Sequence, residues 1–270
     1  MPETPRAKRP NRYEQIIEKV FYAHFTTGRT EVSFDREEFE GACRELKIPL
    51  PKNLGDVIYS FRYRIVLPKA IQETAPTGKS WVIKAAGRGR YTFVAVTPLR
   101  IQPNESLVET KVPDATPGII SMYALTDEQA LLARIRYNRL IDIFTGVTCY
   151  SLQSHLRTTV PGIGQVETDE IYVGVDKRGA QYVFPVEAKA VRESLGSLQV
   201  DQDLALCAAR FPHLICRPIG AQFTASGLIA LFEFEASNGE IRIASERHYR
   251  LTPPEQLSLE ELKTYAQRPE

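Results

Sequence analysis

Apolar positions in the first part of the chain recur at a helical spacing in three places. One such stretch runs from Tyr13 to Phe25 and another from Leu54 to Tyr63, and both predict amphipathic helices. Between them, Thr30–Phe34 is short and has the composition of a strand. The third stretch begins after Asp35, the predicted N-cap, with Glu38 as its partner in a capping box. The pattern therefore predicts helix, strand, helix, helix.

Two runs rich in β-branched and aromatic residues follow, at 80–84 and 91–96, and the segment Gly87–Arg90 joins them. This composition predicts a β-hairpin with a basic tip. The order of elements over residues 13–97 resembles a winged helix-turn-helix domain. The resemblance implies that the third helix enters a major groove of DNA and that the hairpin lies against the DNA backbone.

The charge distribution supports an interaction with a polyanion. The net charge is only +1, but residues 1–100 contain 18 Lys and Arg against 11 Asp and Glu, while the remainder contains 16 against 22. The predicted contacts to DNA phosphates are Lys52, Lys79, Lys84, Arg88 and Arg90, and the predicted contacts to bases are Tyr59, Arg62 and Arg64. A solvated basic surface is the alternative explanation.

The second part of the chain is predicted to contain two long helices and a series of strands. A proline-rich connector at 98–124, with a strand around Leu99–Ile101, precedes a helix that starts at a capping box of Thr126 and Gln129 and reaches Phe144. Strands are predicted over 147–160, 166–175, 181–189, 214–219, 229–234 and 241–244, with a helix over 194–210. A last capping box, Ser258 with Glu261, begins a C-terminal helix.

The second and third of these strands carry charges that an apolar sheet does not explain. They form a predicted hairpin because Asp176–Gly179 between them has turn composition. Side chains alternate along a strand, so Glu167 and Asp169 share one face, and Glu187 and Lys189 share one face of the next strand. Charges in apolar strands are costly unless they are paired or hold a metal ion. The hairpin is therefore the candidate site.

An acid on one strand and Glu-x-Lys on the next, with a helix on either side, resemble the PD-(D/E)xK nuclease superfamily, which includes type II restriction endonucleases. The resemblance covers residues 125–235. It implies that Asp169 is the first acid of the motif, Glu187 the second and Lys189 the lysine. The residue before the first acid is Thr168, where the family has proline.

The chemistry of phosphodiester hydrolysis agrees with these residue types. The reaction needs a nucleophilic water, neutralised charge at phosphorus and help for the leaving oxygen. Mg²⁺ binds through one or two carboxylates while it keeps waters and accepts a phosphate oxygen. Asp169 and Glu187 are therefore predicted to hold Mg²⁺. Lys189 is predicted to orient or deprotonate the attacking water, and the second role would need a lowered pKa.

Two glutamines and one further acid lie near this motif in the chain. Gln202, on the helix after the Glu-x-Lys strand, is predicted to belong to the catalytic site, and Gln199, one turn earlier, is the competitor. Glu128 lies in the first turn of the preceding helix. We interpret it as an acid that stabilises the helix dipole, although some relatives carry an additional catalytic acid there.

The register of the hairpin decides which acid is the first ligand. With the expected register, Asp169 faces Glu187, and Glu167 is a supporting acid on the same face. A shift by one residue would turn Glu170 toward Glu187 instead, because neighbouring side chains point to opposite faces.

Other features of the composition narrow the possible functions. The four cysteines and four histidines are scattered, which argues against a zinc site and a disulfide framework. No apolar run approaches the roughly 18 to 20 residues of a membrane helix, and the N-terminus lacks the apolar core of a signal peptide. We therefore expect a cytoplasmic protein with no membrane partner.

Together these features predict a mixed α/β protein with a restriction-endonuclease-like core of helix, three-stranded meander, helix and strand. The predicted divisions are a flexible basic arm (1–12), a winged-helix domain (13–97), a connector (98–124), a nuclease domain (125–250) and a C-terminal extension (251–270). The expected function is sequence-specific, Mg²⁺-dependent cleavage of double-stranded DNA by a type II restriction endonuclease, with a homodimer as the hypothesis for cutting both strands. The alternatives are a structure-directed repair or junction-resolving nuclease and a DNA-binding regulator that does not cleave.

Overall fold

The structure of the protein, a computed structural model, describes residues 11–63, 65–98, 101–123, 127–191, 193, 195–237 and 240–268. The fold is mixed α/β. The chain divides into two compact units, the first made of Met1–Pro98 with Thr159–Gly164 and the second of Leu99–Thr158 with Gln165–Glu270. Within the described ranges, no helix is both long and apolar enough to cross a lipid bilayer. Most of the predicted basic arm lies outside these ranges.

The first unit packs helices against a three-stranded sheet. Its elements are α1 (Arg12–His24), β1 (Glu31–Asp35), α2 (Glu38–Leu46), α3 (Leu54–Tyr63), α4 (Lys69–Gln72), β2 (Ser80–Ala85) and β3 (Arg90–Val96). The strand order is β1, β3, β2, with antiparallel pairing throughout. The apolar faces of the helices meet the sheet in one core that includes Phe21, Phe39, Trp81 and Phe93.

The elements of this unit follow the predicted order, with two differences in detail. The helix α2 begins at Glu38, because Asp35 is still part of β1. Of the two hydrogen bonds in the predicted capping box, the one present is that from the Asp35 amide to Glu38 Oε1, at 2.8 Å. The helix α4 was not predicted, because a single turn is too short to display a helical period.

The second unit is built on a mixed sheet that has eight strands in the described part of the chain. They are β4 (Glu109–Pro113), β5 (Thr148–Val160), β6 (Gly164–Val175), β7 (Gln181–Lys189), β8 (Ile215–Cys216), β9 (Ile219–Phe223), β10 (Ile229–Ser237) and β11 (Glu240–Thr252). The order across the sheet is β4, β11, β10, β9, β7, β6, β5, with β8 also beside β7. β7 runs parallel to β9 and β4 to β11, whereas β6–β7, β9–β10 and β10–β11 are antiparallel.

Helices cover both faces of this sheet. The helices of this unit are α5 (Gly118–Tyr123), α6 (Glu128–Tyr137), α7 (Leu140–Thr145), α8 (Ser197–Arg210) and α9 (Leu259–Ala266), with a short 3₁₀ turn at Pro254–Gln256. Leu231 of β10 packs into a core with Leu131 of α6. Its neighbours Ala230 and Phe232 point to the other face and pack with Val200 of α8. Strands buried on both faces explain the continuous apolar runs in the sequence.

The predicted helix from Thr126 to Phe144 is two helices. It is interrupted where Arg139 adopts a left-handed conformation with φ of 49°. The helix α6 starts after Asp127, whose side chain accepts a hydrogen bond from the Ala130 amide at 2.9 Å. Thr126 lies outside the described residues. An arginine in this conformation carries no sequence signal, because only glycine and asparagine commonly mark it.

Four other predicted segments have different extents in the structure. The strand predicted at 241–244 is part of the longer β11, Glu240–Thr252. The connector at 98–124 contributes α5 and β4 to the second unit, and β4 had no local signal because its partner β11 is distant in sequence. The strand predicted at 214–219 is divided into β8 and β9. The extension at 251–270 begins inside β11, and its helix α9 contacts β4 through the Lys111–Glu261 ion pair at 2.6 Å.

Candidate active site

The candidate site lies where β6 and β7 separate. The two strands are paired from their turn as far as Glu170 and Val186. Asp169 and Glu187 are the next residues on the two strands. Here Asp169 Oδ2 accepts a hydrogen bond from the Ala188 amide at 2.9 Å. The Asp169 carboxylate therefore joins the two strands at the point where their ladder ends.

Glu187 is buried among other acids. Its Oε2 accepts a hydrogen bond from Gln199 Nε2 of α8 at 3.0 Å. Burial, followed by the negative charges of Asp203 and Asp169, raises the pKa of Glu187 well above its ordinary value. Burial and the neighbouring acids thus both disfavour the ionised form of Glu187.

Lys189 brings a positive charge to this group. Its Nζ lies 3.2 Å from Glu128 Oε1 at the start of α6. Burial alone would lower the pKa of Lys189, but the carboxylates of Glu187, Glu128 and Asp169 together outweigh burial and raise it. Glu128 was interpreted from the sequence as a helix-dipole acid, and the structure places it at the candidate site.

Asp203 is a member of the cluster that the sequence analysis missed. It is fully buried on α8, and its Oδ1 accepts a hydrogen bond from Thr168 Oγ1 at 2.5 Å. Its other oxygen is buried and has no hydrogen-bond partner in the described chain. Burial raises the pKa of Asp203 to about 8. The spacing in the sequence could have indicated that Asp203 is buried near the site. It lies four residues after Gln199 and one turn before the buried Leu206, on the same face of the helix.

Glu170 belongs to a different cluster from its neighbour Asp169. It is fully buried, and its Oε1 accepts hydrogen bonds from Arg136 Nε at 2.9 Å and from Ser151 Oγ at 2.6 Å. Glu167 is exposed and forms an ion pair with an arginine of β5. Of the three acids on β6, Asp169 is therefore the one that the structure brings beside Glu187.

The two candidate glutamines differ in their contacts. Gln199, the competitor in the sequence analysis, makes the hydrogen bond to Glu187 described above. Gln202, the predicted site residue, is buried on the same helix and has its own contact within the protein. The observed bond to the site therefore involves the earlier glutamine.

The donor set fits a hard divalent cation. Among the residues that the structure describes, no three His, Cys, Asp or Glu side chains form a ready-made metal-binding set. Mg²⁺ needs only one or two carboxylates, since waters and substrate oxygens complete its octahedron. Asp169 and Glu187 supply such a pair. The partnerless oxygen of Asp203 shows that donors within the protein leave the acidic cluster unsatisfied.

No family model, curated protein or solved structure matches the chain. Function is therefore inferred from the side chains of the site and their surroundings.

The predicted DNA contacts lie in the first unit. Lys52 precedes α3, Tyr59 and Arg62 are on α3, Lys79 precedes β2, Lys84 is on β2, Arg88 is in the hairpin turn and Arg90 begins β3. The side chain of Tyr59 is 49% exposed, because α3 buries the opposite face that carries Ile58. Lys52, Lys79, Arg88 and Arg90 are exposed, whereas Arg62 and Lys84 are half-buried and contact other residues. Arg64 lies outside the described residues.

Proposed function

We propose that the protein is a Mg²⁺-dependent endonuclease of double-stranded DNA, with Asp169, Glu187 and Lys189 at its catalytic centre. One observation carries this proposal: two acids and a lysine lie together where β6 and β7 separate, with the buried Asp203 and the partly exposed Glu128 around them. Such a cluster combines cation-binding oxygens with a fixed positive charge. Phosphodiester hydrolysis requires both of these features.

The order of elements around the site supports the resemblance to PD-(D/E)xK nucleases. The helices α6 and α7, the meander β5–β7, the helix α8 and the strand β9 follow one another, and β9 runs parallel to β7. A restriction-endonuclease-like core is therefore proposed for the second unit. The element order and the basic hairpin of the first unit favour a winged-helix DNA reader.

Each residue of the centre has a proposed task. Asp169 and Glu187 would hold Mg²⁺, and Gln199 fixes the Glu187 carboxylate by its hydrogen bond. When bound, Mg²⁺ would neutralise charge on the scissile phosphate and acidify a bound water. The Lys189 ammonium, held by Glu128, would orient the attacking water and offset the charge that develops on the phosphate.

DNA recognition is proposed to follow from the exposed side of α3 and from the hairpin of β2 and β3. Tyr59 would contact base edges, and the exposed hairpin cations Arg88 and Arg90 would contact phosphates. Cutting both strands needs two active sites, so we propose a homodimer on DNA. Sedimentation of the protein with an uncleaved site in Ca²⁺ should show two chains per duplex, and a single chain would contradict this.

A digest of DNA tests the proposed activity. Purified protein should cleave genomic-scale DNA in Mg²⁺ but not in a chelator, and sequencing of the ends should reveal one common site. Ends without a common sequence, together with preferred cleavage of branched DNA, would indicate a structure-directed nuclease. Intact DNA that is nevertheless bound in a gel-shift assay would indicate a regulator that does not cleave.

Substitutions within the hairpin then test the assigned residues. Asp169→Asn, Glu187→Gln and Lys189→Met should each lower the cleavage rate by roughly 10²- to 10³-fold or more, while binding to DNA persists. Lys177→Met is the matched control, because Lys177 is exposed in the turn of the same hairpin, roughly 20 Å from the site along the strands. Normal cleavage by the first two variants would overturn the proposal.

A further inference from the structure

Thr168, the residue before Asp169, is hydrogen-bonded to α8, the helix that also donates a hydrogen bond to Glu187. Thr168 is fully buried and donates its hydroxyl hydrogen to Asp203 of α8. One turn earlier on α8, Gln199 donates to Glu187. The helix α8 therefore contacts both of the strands that carry the proposed metal ligands.

This contact lies where the ladder between β6 and β7 has ended. Ladder pairing between the strands ends at Glu170 and Val186, and beyond this pair the Ala188 amide of β7 bonds to the side chain of Asp169. The branched side chain of Thr168 is stiff and can hold a hydroxyl in one direction.

Asp203, the acceptor of this hydrogen bond, is a charged residue type in a buried position. Asp203 keeps one oxygen for Thr168, and its other oxygen is buried beside Glu187 without a hydrogen-bond partner in the described chain. A buried carboxylate in this position is costly for stability. An interior amide or an apolar side chain would avoid that cost, so the position of Asp203 points to a role in the site.

We propose that Thr168 and Asp203 are positioning residues, whose hydrogen bond holds Asp169 at the correct place relative to Glu187 and so sets the affinity of the site for a divalent cation. The inference rests on the proposed function, because it treats these two acids as metal ligands. Hydrogen bonds to the residues around metal ligands commonly change metal affinity or activity by about 10- to 100-fold.

The test is the binding of Mn²⁺ alone to the full chain, with free Mn²⁺ followed by electron paramagnetic resonance. Thr168→Val keeps the shape of the side chain but removes the donor, and it should weaken Mn²⁺ binding by about 10- to 100-fold. Thr168→Ser, which retains the donor, should bind with nearly wild-type affinity. Asp203→Leu should repeat the loss.

Thr158→Val is the matched control. Thr158 is also a buried threonine whose hydroxyl bonds to α8, through Arg210 Nη2 at 2.6 Å, but it lies on β5 and belongs to no part of the site. Its loss should lower stability in urea without a change in Mn²⁺ affinity. If the Thr158 and Thr168 variants lost Mn²⁺ affinity equally, the loss would reflect general destabilisation of the fold, and the inference would be overturned.

The outcomes separate this inference from the proposed function. If the wild-type protein binds Mn²⁺ and the Asp169→Asn variant does not, but the wild-type protein leaves DNA intact, the proposed nuclease activity is refuted. The Thr168 variants then still test the positioning role. Wild-type cleavage together with unchanged Mn²⁺ affinity in Thr168→Val would refute the positioning role alone. Failure of the wild-type protein to bind Mn²⁺ would refute both.

Discussion

Arg136→Met should destabilise the second unit without removing the catalytic acids. Arg136 donates to Glu170, which is fully buried and has only the hydroxyl of Ser151 as its other described hydrogen-bond donor. The substitution leaves a buried carboxylate without its cation. Asp169, the next residue, keeps its bond to the Ala188 amide. The fold and the catalytic centre are therefore expected to respond differently.

The size of the effect follows from the geometry. At the 2.9 Å separation, Coulomb's law with an effective dielectric constant of about 20 gives an attraction of roughly 6 kcal/mol. Removing one partner of a buried pair commonly costs about 3 to 5 kcal/mol. Because the Arg136 side chain is 43% exposed and Ser151 remains, we expect a loss at the low end, about 3 kcal/mol. Glu170→Gln should cost about 1 kcal/mol.

A double-mutant cycle measures this interaction. Urea unfolding of the two single variants and the double variant should give a coupling energy of about 2 kcal/mol. Circular dichroism follows the whole chain, and the fluorescence of Trp81, the one tryptophan, follows the first unit. Additive effects, or a loss below about 1 kcal/mol for Arg136→Met, would refute the reasoning. Glu170→Gln should also cleave DNA normally, and a loss as large as that of Asp169→Asn would make Glu170 the ligand.

Three further substitutions test other features of the structure. Gly174→Ala should lower the free energy of unfolding by about 1 to 3 kcal/mol, because its Cβ would lie 2.7 Å from Val147 Cγ1; an unchanged urea midpoint would contradict this. Arg88→Ala should weaken binding to all DNA sequences and reduce the salt slope by about 1, whereas a change confined to one sequence would indicate base readout. Lys111 and a backbone amide lower the pKa of Glu261 to about 2 from 4.5, so their stabilisation of α9 is complete above 4.5 and is lost as the pH falls toward 2. The protection of the α9 amides against hydrogen exchange, relative to their intrinsic exchange rates at each pH, should fall over that range, and Glu261→Gln should remove this pH dependence.

The sequence predicted the elements whose determinants are close together in the chain. The turn between β6 and β7 was predictable because Asp176 accepts hydrogen bonds from the amides of Arg178 and Ala180, each at 2.9 Å. The capping box of Ser258 and Glu261 also forms as predicted. In both cases the hydrogen bonds join residues only a few positions apart, so a local pattern contains the whole interaction.

The remaining features depend on contacts between distant segments. The sequence shows that Glu128 lies in the first turn of a helix, where an acid stabilises the helix dipole. Its contact with Lys189 depends on how α6 packs against β7, which the sequence does not show. Asp203 was overlooked for the same reason, since periodicity gives the face of α8 but not the neighbour of that face. The strand β4 has a parallel partner far along the chain, and no local pattern specifies such a pairing.

The separation of β6 and β7 has a consequence for engineering the protein. Beyond the last pair of their ladder, β6 lies beside β5 and β7 beside β9, so each acid is carried by a strand with a different neighbour. The gap between the two carboxylates then depends on the twist of the whole sheet. Ca²⁺ has longer bonds to oxygen than Mg²⁺ and tolerates more varied geometry. A library designed to change ion preference should therefore randomise β5 and β9 and leave the acids themselves intact.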